Sequence, residues 1–354
     1  MTRLTHPRAA ALPALAAAAM AVALWGCAKP PYKDALEEAR TLAKHEEYKK
    51  AVEILNDAIQ ANPEAQDLHR ERLRIFLMAD NAQAAEQAYL LFKKKFAKDD
   101  PILVSALSDG NPVIRAAAAK TLADLRDASA TKPLCQAAAD GDAEVRRAAV
   151  VALGRLRGPE AVPHLIKRLT DEAWEVRGDA AAALGLIGDP AAIEPLFGLL
   201  ADPDGYVRST AASALVDLAK EASRPLFAAR LQDPSAETRL TAAIALARLG
   251  ARDGIPIIYA SMKTAQDPEQ RRRCIEALVR MQNREDAAAL QAMLNDPNPT
   301  VRFAAVDSMR FVPDTNAVRL LRQIEADPNA AASLRDHARK VANAIEQWAA
   351  KQKK

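Results

Sequence analysis

Arginine recurs in this chain with a beat of 31 residues, from near residue 109 almost to the end. Arg115, Arg146, Arg177, Arg208 and Arg239 stand 31 apart; Arg271 follows after 32, Arg302 after 31 and Arg335 after 33. A fixed period of that size marks units that cannot bury an apolar face alone and must stack to share one core. Such an array offers a long surface for binding, not a deep catalytic pocket.

Columns of equivalent residues give the local geometry. One before each marker arginine stand Ile114, Val145, Val176, Val207, Thr238, Gln270, Val301 and Leu334. Three after it come Ala118, Ala149, Ala180, Ala211, Ala242, Cys274, Ala305 and Ala338. Seven after it come Leu122, Leu153, Leu184, Leu215, Leu246, Leu278, Met309 and Ala342. Offsets of −1, 3, 7 and 10 share one helical face, so each unit carries a helix buried along a stripe. The alanine column predicts close backbone approach, and Cys274 fits it as a small buried hydrophobe. Ala342, smaller than its counterparts, predicts looser packing in the last unit. A second helix opens near Pro133, Pro163, Pro195 and Pro225, where proline suits a first turn, and is expected to turn Leu134, Leu165, Leu196 and Leu226 inward. Asp-Pro pairs at Asp189, Asp202, Asp233, Asp267, Asp296 and Asp327 supply caps and turns.

These residues resemble HEAT repeats of the short, bilin-lyase-like variety. Glu175-Val176-Arg177-Gly178-Asp179-Ala180-Ala181-Ala182-Ala183-Leu184-Gly185 through Gly188-Asp189-Pro190 matches that pattern nearly throughout, and the resemblance covers residues 101–350, about eight units. It implies an all-α, right-handed superhelix. It also implies a ladder between neighbouring units, pairing the arginines with Asp109, Asp140, Asp171, Asp202, Asp233 and Asp296, six residues before their own arginines. Local irregularity is expected where the spacing shifts, at Arg271 and Arg335. As to activity the resemblance is nearly silent, because the fold hosts scaffolds, chaperones and a few enzymes.

Residues 32–98 keep another period. Ala51 and Ala85 are 34 apart, as are Ala58 and Phe92. The run from Glu47-Tyr48-Lys49-Lys50-Ala51-Val52-Glu53 through Ala58 to Pro63 resembles the second half of a tetratricopeptide repeat, with Leu36, Ala39 and Leu42 on its first helix; a looser second copy runs from Ala65 to Phe96. Two hairpins are too few to stand alone, so they are expected to stack on the units that follow.

The first 26 residues read as a leader. Arg3 and Arg8 precede an alanine-rich run from Ala9 to Trp25, the layout of a secretory signal. Leu24-Trp25-Gly26-Cys27 resembles the bacterial lipobox, which implies cleavage before Cys27 and lipidation of its thiol and new amino terminus; residues 27–31 form the tether. Several acyl chains hold firmly to a membrane where one does not. Ala28, in place of the aspartate that favours inner-membrane retention, points to the periplasmic face of the outer membrane. Without Arg3 and Arg8 the 49 basic residues become 47, against 46 acidic ones. So balanced a chain lacks the basic excess of a nucleic-acid binder.

The sequence shows no Cys-x-x-Cys, no Gly-rich phosphate loop and no metal-spaced histidines among His45, His69, His164 and His337. His45-Glu46 resembles a pair from the iron-binding HEAT-repeat hydroxylases, but that family needs several. No cofactor, metal or small-molecule substrate is implied. In the family, positions one, two, five, eight and nine after the arginine line the concave side. Those positions are bland early (Ala116, Ala117, Gly178, Ala182, Gly185) and become basic and aromatic late: Arg272, Arg273, Arg280, Phe303, Arg310 and Phe311. Arginine and aromatics are common interface anchors, and 4% aromatic content makes the two phenylalanines conspicuous. The expectation is a non-enzymatic, lipid-tethered scaffold or adaptor. Its partner would be a protein or peptide, matched by an acidic or carboxylate-bearing segment. The alternatives are a lyase-like or cofactor-attachment helper for an exported protein, and a plain structural spacer. Trp174 is read as a cover for its neighbour and Trp348 as part of a terminal cap from Ala338 to Lys354.

Overall fold

The computed structural model describes residues 32–96 and 101–352. The leader, Cys27, the tether and the Asp99-Asp100 turn lie outside the described residues. Within them the protein is an all-α solenoid of twenty α-helices joined by turns and short 3-10 segments, with no strand. It divides by packing into two units after Thr121. That division lies within a helix, whereas the change of repeat period lies at residues 98–99.

In the first unit, helices α1 (Lys33–Lys44), α2 (Tyr48–Ala61), α3 (Gln66–Met78) and α4 (Ala82–Lys95) form two antiparallel hairpins. Leu36, Ala39, Ala51, Leu55, Ala58, Leu68 and Ile75 make one core across α1, α2 and α3. Phe92, which stands where the first hairpin has a small residue, is 1% exposed and packs against Phe96 with ring centroids 4.9 Å apart. The short α5 (Ile102–Ala106) and the start of α6 (Pro112–Asp124) complete the unit. A polar chain stitches these pieces together. Glu71 of α3, 5% exposed, binds Arg40 of α1 at 2.8 Å and Arg74 at 3.5 Å, and Arg74 Nε donates to Asp109 at 3.0 Å. The expected stacking of the hairpins on the first 31-residue unit therefore has a bond to hold it, through an arginine that lies outside the 31-residue beat.

The second unit continues as hairpins whose second members carry the marker arginines: α7 (Thr131–Ala137) with α8 (Ala143–Leu156), α9 (Val162–Arg168) with α10 (Trp174–Ile187), and α11 (Ile193–Gly198) with α12 (Gly205–Asp217). Next come α13 (Arg224–Ala229) with α14 (Ala236–Arg248), α15 (Ile255–Thr264) with α16 (Pro268–Met281), α17 (Ala287–Ala292) with α18 (Pro299–Ser308), and α19 (Ala317–Ala326) with α20 (Ala332–Gln352). The columns are buried as expected. Ala149, Ala180, Ala211, Ala242, Cys274, Ala305 and Ala338 are all 0% exposed. Ala342 is buried as completely as the leucines above it, packed in one cluster with Leu321 and Ile324, so the looser packing expected there is not seen.

One expected core residue is corrected. Leu226 is 38% exposed, and its neighbour Phe227 is fully buried, edge-on to Phe197 at 5.9 Å. Counting 31 from Leu134 gives Leu165, Leu196, Phe227 and Ile258, and all five are 0% exposed. The prolines drift by one residue from that count, standing one before Leu134 and Leu196 but two before Leu165 and Phe227. Side-chain burial follows the helix period, while proline only needs to lie somewhere in the first turn.

The six Asp-Pro aspartates behave alike. Each accepts a backbone N–H from the residue two further on: Ala191, Asp204, Ser235, Glu269, Asn298 and Asn329. These bonds fix the turns in which the arginine ladder is anchored.

Candidate functional site

The marker arginines are committed to the fold. Arg177 shows the full pattern. Its Nη1 donates to the carbonyls of Asp171 and Glu172 in its own turn, at 2.9 and 3.1 Å. Its Nε and Nη2 fork onto Asp202 of the next unit at 2.7 and 2.9 Å. Arg146 grips Asp171 and Arg271 grips Asp296 in the same way. The bidentate fork is the strong form of this pair. The Arg177 guanidinium and the turn N–H together hold the Asp202 carboxyl below its ordinary value. Arg271, where irregularity was expected, is fully engaged. The ladder fails at the two joints before it: Arg208 keeps only the carbonyls of Asp202 and Pro203 while Asp233 takes Arg230 at 3.3 Å, and beyond Arg239 Ala265 occupies the place of an aspartate. Arg239 keeps only the carbonyls of Asp233 and Pro234. A different cluster bridges that joint: Glu237 takes Gln270 at 2.5 Å and Arg273 at 3.0 Å.

The face of the marker helices then decides what remains for a partner. In the ninth position after the marker, Arg155 pairs with Asp124 at 2.5 Å and Arg248 with Asp217 at 2.7 Å, each across one repeat. On α8, α10 and α12 that face is closely packed. A Cβ on Gly154 would lie 2.9 Å from the Ala183 Cα, and one on Gly178 would lie 2.3 Å from the Tyr206 ring. Tyr206 lies over Gly178, donates its hydroxyl to Asp179 at 3.1 Å and meets Trp174 edge-on at 5.7 Å. Gly178 is thus covered rather than open, and Ala116 and Ala117 are likewise buried.

The six residues singled out from sequence are not equivalent. Arg272 is held by Glu269 and by Glu276 on its own helix. Arg273 is 15% exposed, tied to Glu237 and, at 3.3 Å, to the Thr241 hydroxyl. Arg310 leans on Asp307 at 3.3 Å and over the Phe311 ring at 5.9 Å. Phe303 and Phe311 are 43% and 46% exposed. Phe303 stacks on His337, with centroids 4.8 Å apart and planes at 9°, and His337 Nε2 lies 3.1 Å from Asp307. Arg280 is exposed and makes no ion pair among the described residues. The structure therefore joins Phe303, Arg310 and Phe311 into one patch with Asp307 and His337, and sets Arg272 and Arg273 into ion pairs.

The sequence pattern of HEAT repeats matches residues 101–183, 162–246, 223–310 and 255–352, overlapping spans that cover most of the chain. The chain belongs to the HEAT-repeat family. No curated protein matches it. Among solved structures, the CpcE–CpcF complex of phycocyanin lyase from Nostoc sp. is 20% identical over 69% of this chain and 93% of that one, with a TM-score of 0.39. Human deoxyhypusine hydroxylase in complex with glycerol is 23% identical over 69% and 95%, with a TM-score of 0.33. An engineered protein is 20% identical over 88% and 94%, with a TM-score of 0.44. These are distant likenesses.

In this HEAT array, chemistry-bearing groups are scattered. No group of three or more histidine, cysteine, aspartate or glutamate side chains is placed to hold a metal among the described residues. Cys274 is fully buried, and burial pushes its thiol up to about 12; the thiolate needed for nucleophilic or redox chemistry is suppressed. His69 is buried as well, its ring 3.0 Å from the Pro63 carbonyl, and burial pulls its pKa down. Asp307 and His337 were missed in the sequence reading. They stand 30 residues apart on neighbouring marker helices, at the fifth position after Arg302 and the second after Arg335, so no single column contains both. The Tyr206–Trp174 pair was missed because Tyr206 reaches back over the preceding repeat.

Proposed function

We propose that this HEAT-repeat protein is a non-catalytic scaffold or adaptor that holds a protein or peptide partner against the marker-helix face of α16 and α18. The observation that carries this reading is the pair of half-exposed phenylalanines, Phe303 on α18 and Phe311 in the turn that follows it, beside Arg310 in that same turn. Exposed aromatic rings beside arginine are hot-spot chemistry, since they bury much apolar area at small entropic cost. The order of the Phe303–His337 stack supports it too: a ring already held in place loses less freedom on binding.

The same proposal includes the tetratricopeptide character of α1–α4 and a lipid tether at Cys27. It also includes residence at the periplasmic face of the outer membrane and the division into a 1–26 leader, a 27–31 tether, 32–98 hairpins and a 99–354 array. The leader pattern and the lipobox-like Leu24-Trp25-Gly26-Cys27 support the address. The test is in-cell photocrosslinking from the adjacent exposed position 310 with identification of the captured protein. Phe303→Ala and Phe311→Ala are expected to reduce capture at least about tenfold each, the scale of a modest hot spot. Unchanged capture by both would reject the surface. For the tether, Cys27→Ser is expected to abolish incorporation of labelled fatty acid, and continued incorporation would reject lipidation.

A further inference from the structure

The eighth position after the marker arginine changes character along the array. It holds Gly154 on α8 and Gly185 on α10, where an added Cβ would approach the next helix to 2.8–3.0 Å. From α12 onward it holds Val216, Ala247 and Val279. Larger side chains in that slot keep the backbones from touching. Between α12, α14 and α16 the helices leave a groove of about 180 Å³. Val216, Ile244 and Ala277 supply its apolar lining, and Arg248, Arg273 and Arg280 its cations.

Two of those cations are already neutralised. Arg248 is paired with Asp217, itself a groove residue, and Arg273 with Glu237. The remaining acid of the groove, Glu276, binds Arg272. Arg280 alone has no carboxylate, and the reason lies in the ninth column. Its neighbours there are Arg248, already spent on Asp217, and Phe311, which has no charge. The groove therefore carries one uncompensated guanidinium beside an apolar wall. Its volume is below the roughly 300 Å³ at which small-molecule sites begin, so it suits one side chain or chain end, not a cofactor.

We propose that this groove is the docking point for a carboxylate on an extended peptide segment of the partner, held by Arg280, with an adjacent aliphatic side chain against Val216 and Ile244. The inference rests on the scaffold reading above and specifies the partner's chemistry. An acidic side chain and a free carboxyl terminus present the same group. A guanidinium fork meets either one with two hydrogen bonds.

Two arrays of eight-residue peptides, probed with the full chain in mild detergent, separate the two sources. One array carries single Asp or Glu residues with amidated ends. The other has free carboxyl termini and no acidic side chains. Binding is expected to depend on a carboxylate in at least one array and to fall about tenfold with Arg280→Gln. Arg280→Glu is expected to shift preference to Lys- or Arg-bearing peptides. Arg280 is exposed and unpaired, so both variants should keep the wild-type far-ultraviolet dichroism. Binding that needs no carboxylate, or that ignores Arg280 while Phe303→Ala and Phe311→Ala abolish it, overturns the groove and leaves the scaffold standing. No binding in either array overturns the groove as well. If photocrosslinking from position 310 also captures nothing, the scaffold reading falls with it.

Discussion

Replacing Asp202 by alanine tests whether the arginine–aspartate ladder holds the repeats together. Asp202 accepts three hydrogen bonds: from Arg177 Nε at 2.7 Å, Arg177 Nη2 at 2.9 Å and the Asp204 backbone at 2.9 Å. Its side chain is 6% exposed and that of Arg177 13%. Removing the carboxylate leaves a nearly buried cation with only two carbonyl acceptors. Breaking a buried ion pair this way costs about 3–5 kcal/mol. The residual exposure of Arg177 and its remaining bonds place Asp202→Ala at the lower end, about 3 kcal/mol. A cycle with Arg177→Met is expected to show a coupling of about 2 kcal/mol. Urea unfolding followed by circular dichroism reads the total. Repeat arrays can open locally, so amide hydrogen exchange in α10 and α12 reads whether the loss is confined there. A coupling below about 0.5 kcal/mol would mean that the apolar columns alone hold the stack, and the ladder argument would be wrong.

Three further outcomes follow from the same physics. Phe227→Ala should cost about 3–5 kcal/mol and Leu226→Ala under about 1 kcal/mol, checked by denaturant midpoints; equal costs would contradict the burial register. Gly154→Val should destabilise by about 1–3 kcal/mol through overpacking against the Ala183 backbone. Gly141→Ala, with nothing within 4 Å of the new methyl, should leave the melting temperature nearly unchanged. Acid should weaken the ladder, because the Asp202 carboxyl titrates below its ordinary 3.8 in the fold. A depressed folded-state value stabilises above the unfolded-state pKa and is lost as pH falls through the folded one. Stability should therefore decline below about pH 4 by less in Asp202→Ala than in the wild type, and parallel curves would refute this.

Much of the fold was legible because the sequence repeats its own chemistry. The alanine and leucine columns, the Asp-Pro turns and the arginine beat each occur several times, so a single misleading residue is outvoted. The reading failed where a weaker signal was preferred to the period. Leu226 was chosen for its proximity to Pro225, although the 31-residue count points to Phe227. Ala265 in place of an aspartate was equally visible, yet the irregularity was assigned to Arg271, which is fully paired. The candidate site was less legible. Arg272, Arg273 and Arg280 look alike in sequence, since each is an arginine at an outward position of α16. Their partners come from Glu269, Glu237 and nothing, respectively, and only the first lies on the same helix.

The sequence by itself determined the helix count per repeat, the buried stripe of each marker helix and the identity of the turns. These depend on neighbours within a few residues, or on a period that copies the same environment. Tertiary structure alone decided which charges are spent and where the helices separate. Those outcomes depend on side chains about 31 positions apart meeting across a joint, and on whether glycine or valine sets the distance between two backbones. A pattern of residue types fixes which face a side chain takes, whereas the distance across a joint is set by the volumes of both neighbours together.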